Sequence, residues 1–194
     1  MSRKRRVIDK RTKKEQNVLV VAVEGETEAN YIKYVKSVYK KNIKIDIIQK
    51  NSIKSVSSFL KRYAAEKGIH HSELVLIYDL ENDTKEYDKF IMNGKLRHSE
   101  TYLSQPCIEY YFLLHQSSFE GGPNLNINAI DALKKLERYL PNYSKGLRFN
   151  WKSEGITKDD LDFAISKSVQ QFSSFDDSTF SMLGLFINKY LREM

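Results

Sequence analysis

Two short apolar runs in this sequence each stop at an acid. The first is Asn17–Glu28, NVLVVAVEGETE, in which Glu24 and Gly25 follow an unbroken apolar stretch. The second is Leu74–Tyr78, followed by Asp79, Glu81 and Asp83 in DLEND. In an extended segment alternate residues share a side, so Asp79, Glu81 and Asp83 point the same way. Two of them can ligate one ion while Glu24 approaches from a neighbouring strand. With four histidines and one cysteine in the chain, oxygen donors dominate and favour a hard cation, Mg²⁺ or Mn²⁺, over Zn²⁺. A metal bridging such carboxylates activates water and neutralises charge that develops on a phosphodiester. The ordinary reading of an acid after a strand is a turn or cap residue.

These acids need a scaffold that brings them together. Val18–Val23 is apolar and mostly β-branched without polar alternation, which predicts a buried parallel strand. Glu24 then sits at a strand's C-terminal end, where open α/β sheets place their sites. Gly25 allows a tight turn, and Thr27 is the expected cap of a helix from Glu28 to Lys40. Tyr31, Tyr34, Val35 and Val38 form one face of that helix. Ile43, Ile45 and Ile47 alternate with polar residues, as expected of a strand nearer the sheet edge. A helix capped by Asn51 or Ser52 follows, with Val56, Phe59, Leu60 and Tyr63 as its stripe and Gly68 as its stop. Leu74–Tyr78 completes a β-α-β-α-β order, which predicts a mostly parallel sheet covered on both faces.

Beyond it, Glu81–Gly94 reads as a short helix supported by Tyr87, Phe90 and Ile91. Leu96–Ser104 supplies a further strand around Thr101, Tyr102 and Leu103. Pro106 suits the first position of a helix running to about His115. Apolar residues almost encircle that helix, so it should be central and buried. Gln116–Asn126, with Gly121, Gly122 and Pro123, marks a boundary. After it only helices are expected: about Asn128–Leu140, Thr157–Phe172 with Thr157 and Asp160 as a capping box, and Thr179–Arg192. The expected organisation is a basic arm (1–14), an α/β domain (15–115) and an α-helical extension (116–194).

Composition sets limits on this picture. The chain has 194 residues, 41% hydrophobic and 12% aromatic, enough for a substantial core. No apolar run approaches the ~18 residues of a membrane span. The first 14 residues hold eight of the basic side chains against one acid, leaving 24 basic and 24 acidic residues in the remainder. The net charge of +7 therefore belongs to the arm, which lacks the apolar run of a secretory signal. Such an arm attracts phosphate backbones without reading sequence, or simply solubilises the chain. A lone cysteine, Cys107, permits no internal disulfide and suits a reducing cytoplasm; no base lies near enough in sequence to make it a nucleophile.

The acidic segments also carry a resemblance. VVAVEGETE followed by LIYDLEND resembles the Toprim pattern, a strand ending in Glu-Gly and a strand ending in Asp-x-Asp. EGETEANYIKYV is similar to the EGExTExxYF segment of RloB-like proteins, and SQPCIEYYFLLH to their SNPCFExWxLLHF segment. The stretch Tyr139–Lys145 resembles that family's YxK piece, and DSTFSMLGLFI its PSTxVxxLV piece. The resemblance covers nearly everything after the basic arm.

It implies a Toprim-like fold and a cytoplasmic prokaryotic antiphage component of the abortive-infection kind, acting as a metal-dependent nuclease on RNA (tRNA included) or DNA. It also implies a partner ATPase encoded alongside. The chain has no GxxxxGK[ST] loop of its own. By position, Glu24 matches the first catalytic acid and Asp79 the first acid of Asp-x-Asp, with Glu81 in the second place. Glu24, Asp79, Glu81 and Asp83 are the expected Mg²⁺ (or Mn²⁺) ligands. The sequence departs from the pattern at Glu81, where Toprim proteins carry Asp; the added methylene points to ligation through water, with Asp83 compensating. Gln105 replaces the family's Asn before Pro106.

Glu28 and Glu109 are auxiliary candidates. Glu109 interrupts an apolar helix, where a lone carboxylate is costly unless paired or metal-bound, and a lysine or helix end is its ordinary partner. His115 is off the face of Glu109 and reads as structural; His70, His71 and His98 have no metal-ligand spacing. Tyr139 and Tyr143, beside Lys135, Arg138 and Lys145, read as core residues or as platforms for base stacking. Lys145, Arg148 and Lys152 are candidate nucleic-acid contacts. The rival function is a non-catalytic sensor subunit that binds a nucleotide or a phage trigger for the ATPase. The helical end suits docking of a partner or a second copy.

Overall fold

A computed structural model describes residues 18–49, 59, 62–63, 65–66, 74–80, 100–122, 125–172 and 179–192. Within them the order is β1 (Val18–Val23), α1 (Glu26–Tyr39), β2 (Lys44–Gln49), β3 (Leu74–Asp79), β4 (Glu100–Gln105), α2 (Ile108–Leu113), α3 (Ala129–Tyr139), α4 (Lys158–Gln171), β5 (Phe180–Ser181) and α5 (Leu183–Ile187), which continues as a π-helical turn, Asn188–Arg192. Phe59, Arg62, Tyr63, Ala65 and Glu66 are also helical. The basic arm, the caps and stop expected near residues 51 and 68, and the helix expected over 81–94 lie outside the described residues.

The strands form one sheet in the order β2-β1-β3-β4-β5. β1 to β4 are parallel and β5 runs antiparallel to β4. The connection from β1 goes outward to β2, whereas β3 returns to the other side of β1. The gap between the C-terminal ends of β1 and β3 is therefore the point where strand order reverses, the usual place for a site in open α/β sheets. Val23, the last residue of β1, pairs with Ile77, so β3 runs two residues farther, to Asp79.

Strand alternation divides the core. Leu19, Val21 and Val23 of β1 and Val75 and Ile77 of β3 join the main cluster with α1 and the C-terminal helices. Val20, Ala22, Leu74 and Leu76 face the other way, where Tyr63 packs. Asp79 has the parity of Val75 and Ile77 and so emerges beneath the main helical layer. Glu24 has the parity of Val20 and Ala22.

The central helix is α2. All six of its residues are buried, although so short a helix has no stability alone. Tertiary packing holds it, and each large apolar side chain contributes about 1.5–3 kcal/mol. Phe112 meets Trp151 at 4.5 Å and Tyr31 at 4.9 Å between ring centroids. The main cluster runs from Leu19 to Leu191, so residues beyond 116 share the core of the sheet. α5 crosses α4 closely at Gly184, where a Cβ would lie 2.6 Å from Ser168 Cβ.

Several local expectations are corrected. α1 starts at Glu26 with Gly25, not Thr27, as its N-cap, because the Glu28 carboxylate accepts the Gly25 N–H at 3.0 Å. Pro106 follows a cis peptide bond and precedes the helix; Cys107 is the N-cap and Ile108 the first helical residue. α2 ends at Leu113, with His115 in the turn beyond. Residues after 116 are not helical throughout, since Phe180 and Ser181 pair with Gln105 and Ser104 as the edge strand, and the last helix starts at Leu183, not Thr179. The capping box of α4 is as expected: the Thr157 N–H donates to Asp160 Oδ2 at 2.8 Å, and the Asp160 N–H to Thr157 Oγ1 at 3.3 Å.

Candidate active site

Four acids sense one another around the reversal point. Asp79 ends β3 and is 5% exposed. Its Oδ2 accepts the Ile108 N–H at 3.0 Å, which ties the strand end to the first turn of α2. Glu28 lies one turn into α1, buried and folded back on the Gly25 N–H. A Cβ on Gly25 would stand 3.1 Å from the same carboxylate oxygen, so glycine lets the backbone approach it closely. Glu109 is the second residue of α2 and 1% exposed. Glu24 follows β1 in a bend and is half-exposed.

Burial dominates the electrostatics of Asp79 and Glu28, with Lys145 a cation beside Glu109 and Glu28. Loss of water raises the Asp79 carboxyl well above the usual range, and the charges of Glu28, Glu109 and Glu24 add to the rise; only the Ile108 N–H opposes it. Burial also raises Glu28, as does the charge of Glu109, against the N–H groups of Glu28 itself and Gly25 and the charge of Lys145. Among these influences on Asp79, Glu28 and Glu109 outrank Glu24. The structure therefore couples Asp79 most strongly to the two acids that the sequence offered as auxiliary.

One segment clasps this cluster. The Tyr143 O–H donates to Glu109 Oε1 at 2.9 Å. Lys145 Nζ stands 3.9 Å from Glu109 Oε2, an oxygen with no hydrogen-bond partner. The Gly146 N–H donates to Thr27 Oγ1 at 3.1 Å. Thr27 thus anchors residues 143–146 to α1 instead of capping the helix. Tyr143 is 4% exposed and is not free to stack on a base; the ring is core and the hydroxyl serves Glu109. Burial and the Glu109 charge raise that phenol, so it stays a donor.

Of the other predicted residues, Glu81 and Asp83 lie outside the described residues. Arg148 and Lys152 are exposed; Arg148 borders a pocket of about 480 Å³ and Lys152 does not line it. Cys107 is buried beside the acids, and burial together with Glu109 and Asp79 pushes its thiol up, which keeps it an inert core residue. Among the described residues, no three His, Cys, Asp or Glu side chains are grouped as ligands of one ion.

A family model described as RloB-like protein matches residues 19–181. The chain belongs to the RloB-like family. The match extends from β1 into β5 and includes Glu24, Glu28, Asp79, Glu109 and Tyr143. Comparison with curated proteins and with solved structures yields no match. In this RloB-like chain, sequence reasoning missed Tyr143 as the partner of Glu109. No local signal could have found it, because the two are 34 positions apart. The pairing of Glu28 with Gly25 did have a signal, the three-residue spacing of an N-terminal cap.

Proposed function

We propose that this chain is a metal-dependent phosphodiesterase that cleaves RNA or DNA in a prokaryotic antiphage system, with a Toprim-type arrangement of acids. The observation that carries the reading is the concentration of buried, under-neutralised carboxylates at the reversal point of the sheet. Perturbed acids in such a place mark functional sites more often than structural ones. Membership of the family supports the defence role and a partner ATPase through the resemblance described above.

The donor set suits a hard cation of the Mg²⁺ or Mn²⁺ class. The expected donors are carboxylate oxygens, and among the described residues Glu109 Oε2 is a buried oxygen without a hydrogen-bond partner, 3.9 Å from Lys145 Nζ. Asp79, Glu24 and, by their places in the acidic run after β3, Glu81 and Asp83 are the residues that would hold such an ion. When bound, such an ion supplies Lewis-acid polarisation of the phosphodiester and lowers the pKa of water. Glu24, the most accessible of the four described acids, exchanges protons with solvent and substrate. The Ile108 N–H orients Asp79, and Tyr143 keeps Glu109 turned toward it.

A second reading is a non-catalytic sensor subunit for the ATPase. Its support is that the described acids form no three-ligand group, while Lys145 reaches toward one of them. The experiment that separates the two is expression with and without the genomic neighbour, followed by sequencing of cellular RNA ends and assay of DNA integrity. New ends that vanish in Glu24→Gln and in Asp79→Asn are expected. Intact RNA and DNA under phage challenge, with binding of Mn²⁺ to the purified chain retained, would replace the nuclease with the sensor.

A further inference from the structure

A pocket of about 480 Å³ lies between α1 and residues 148–151. Its cations are Lys33 of α1 and Arg148, both exposed. The half-buried Tyr34 and Phe149 and the buried Trp151 line it, with Asn30 and Asn150. The volume is in the range of small-ligand sites and accommodates one nucleotide. Cations for a phosphate and aromatic faces for a base are the two elements of single-strand recognition.

Two further observations bear on the ligand. Trp151 is 2% exposed, and among the described residues its Nε1 is a buried donor with no hydrogen-bond partner. Glu26 shares the field of Lys33 and Arg148 and is held by Gln49 Nε2 at 2.8 Å and by Asn30 of the pocket lining, so it offsets part of the pocket's positive charge.

The pocket and the acids are linked through packed side chains. Tyr143 touches Glu109 and also packs edge-on against Phe149 at 5.3 Å, which in turn meets Trp151 at 4.7 Å.

We propose that this pocket is a nucleotide subsite, holding the base and phosphate of a single-stranded segment that runs on toward the acids. The inference rests on the nuclease reading for its strand direction toward the acids, but its test does not require cleavage. The probes are fluorescein-labelled short single-stranded RNA and DNA, titrated against the full chain by anisotropy in chelator at several salt concentrations. Lys33→Glu with Arg148→Glu should weaken binding at least tenfold and lower the log–log salt slope by about 1.4, two cations at about 0.7 each. Phe149→Leu, which keeps an apolar side chain but no ring, should weaken binding by about tenfold, and an abasic oligonucleotide should erase that difference.

A double variant that binds no more weakly than Lys134→Glu, an exposed lysine outside the pocket, overturns the proposal. So does a free mononucleotide that binds as tightly as the strand with the same residue dependence, since the pocket then serves a free nucleotide. If wild type cleaves neither polymer with Mn²⁺ yet binding depends on the pocket, the subsite stands and the nuclease falls. If wild type cleaves and the pocket variants bind and cleave equally well, the subsite alone falls.

Discussion

Asp79→Asn should make the metal-free protein more stable. Asp79 is 95% withdrawn from water, its carboxyl is held well up by burial and by the charges of Glu28, Glu109 and Glu24, and one backbone N–H opposes them. The amide keeps Oδ1 to accept the Ile108 N–H while removing the charge. Relief of a poorly compensated buried polar group amounts to about 1–3 kcal/mol, and each kcal/mol shifts Tm by about 2–4 °C in a chain of this size.

The sign with pH follows from linkage. An acid raised in the folded state binds more protons folded than unfolded between the ordinary carboxylate range and its raised value, so wild type loses stability as pH rises through that window. The Asn variant lacks this loss. Thermal unfolding of both proteins in chelator, at pH 7 and at mildly acid pH, measures it. The variant should lead at pH 7, and its lead should shrink as pH falls. Added Mg²⁺ or Mn²⁺ should stabilise wild type by mass action and the variant much less. A variant less stable than wild type at pH 7, with the same pH dependence, would refute the picture of an under-neutralised Asp79 and indicate that a cation such as Lys145 already balances it.

Two further perturbations test the supporting layer. Tyr143→Phe removes the donor to Glu109 Oε1 and keeps the ring against Phe149 and Trp151; a buried carboxylate left without that bond should cost about 1–3 kcal/mol in denaturant unfolding, and no change would mean that Glu109 is held by other means. His115 is buried between the Tyr31 hydroxyl at Nε2, 2.8 Å, and the Phe112 carbonyl at Nδ1, 3.0 Å. A carbonyl only accepts, so Nδ1 carries the proton and the ring is neutral. Burial lowers its pKa from 6.5 to about 4, so its stability contribution is present above pH 6.5 and is lost as pH falls toward 4. The advantage of wild type over His115→Gln should shrink by about 3 kcal/mol across that window; a pH-independent difference would exclude a neutral buried histidine.

What the sequence made legible were the features written in short-range pattern. The unbroken apolar run at Val18–Val23, the alternation of Ile43, Ile45 and Ile47, and the acid after Tyr78 led to β1, edge strand β2 and β3 with Asp79 at its end. Thr157 with Asp160 announced the start of α4, and the apolar circumference of Ile108–Leu114 announced a buried α2. Periodicity and cap chemistry operate over a few residues, so one sequence suffices to read them.

The composition of the acid cluster was a different matter. That Asp79 feels Glu28 and Glu109 more than Glu24 depends on strand parity and on α2 packing over the end of β3. That Tyr143 holds Glu109, that Thr27 anchors Gly146 rather than capping α1, and that Phe180 and Ser181 close the sheet depends on contacts across 34, 119 and about 75 positions. Such pairings leave no trace in local periodicity, since each partner satisfies its own neighbourhood in several ways. The free energy that selects one of them arises only when the chain buries its apolar faces together and every buried polar group must find a partner.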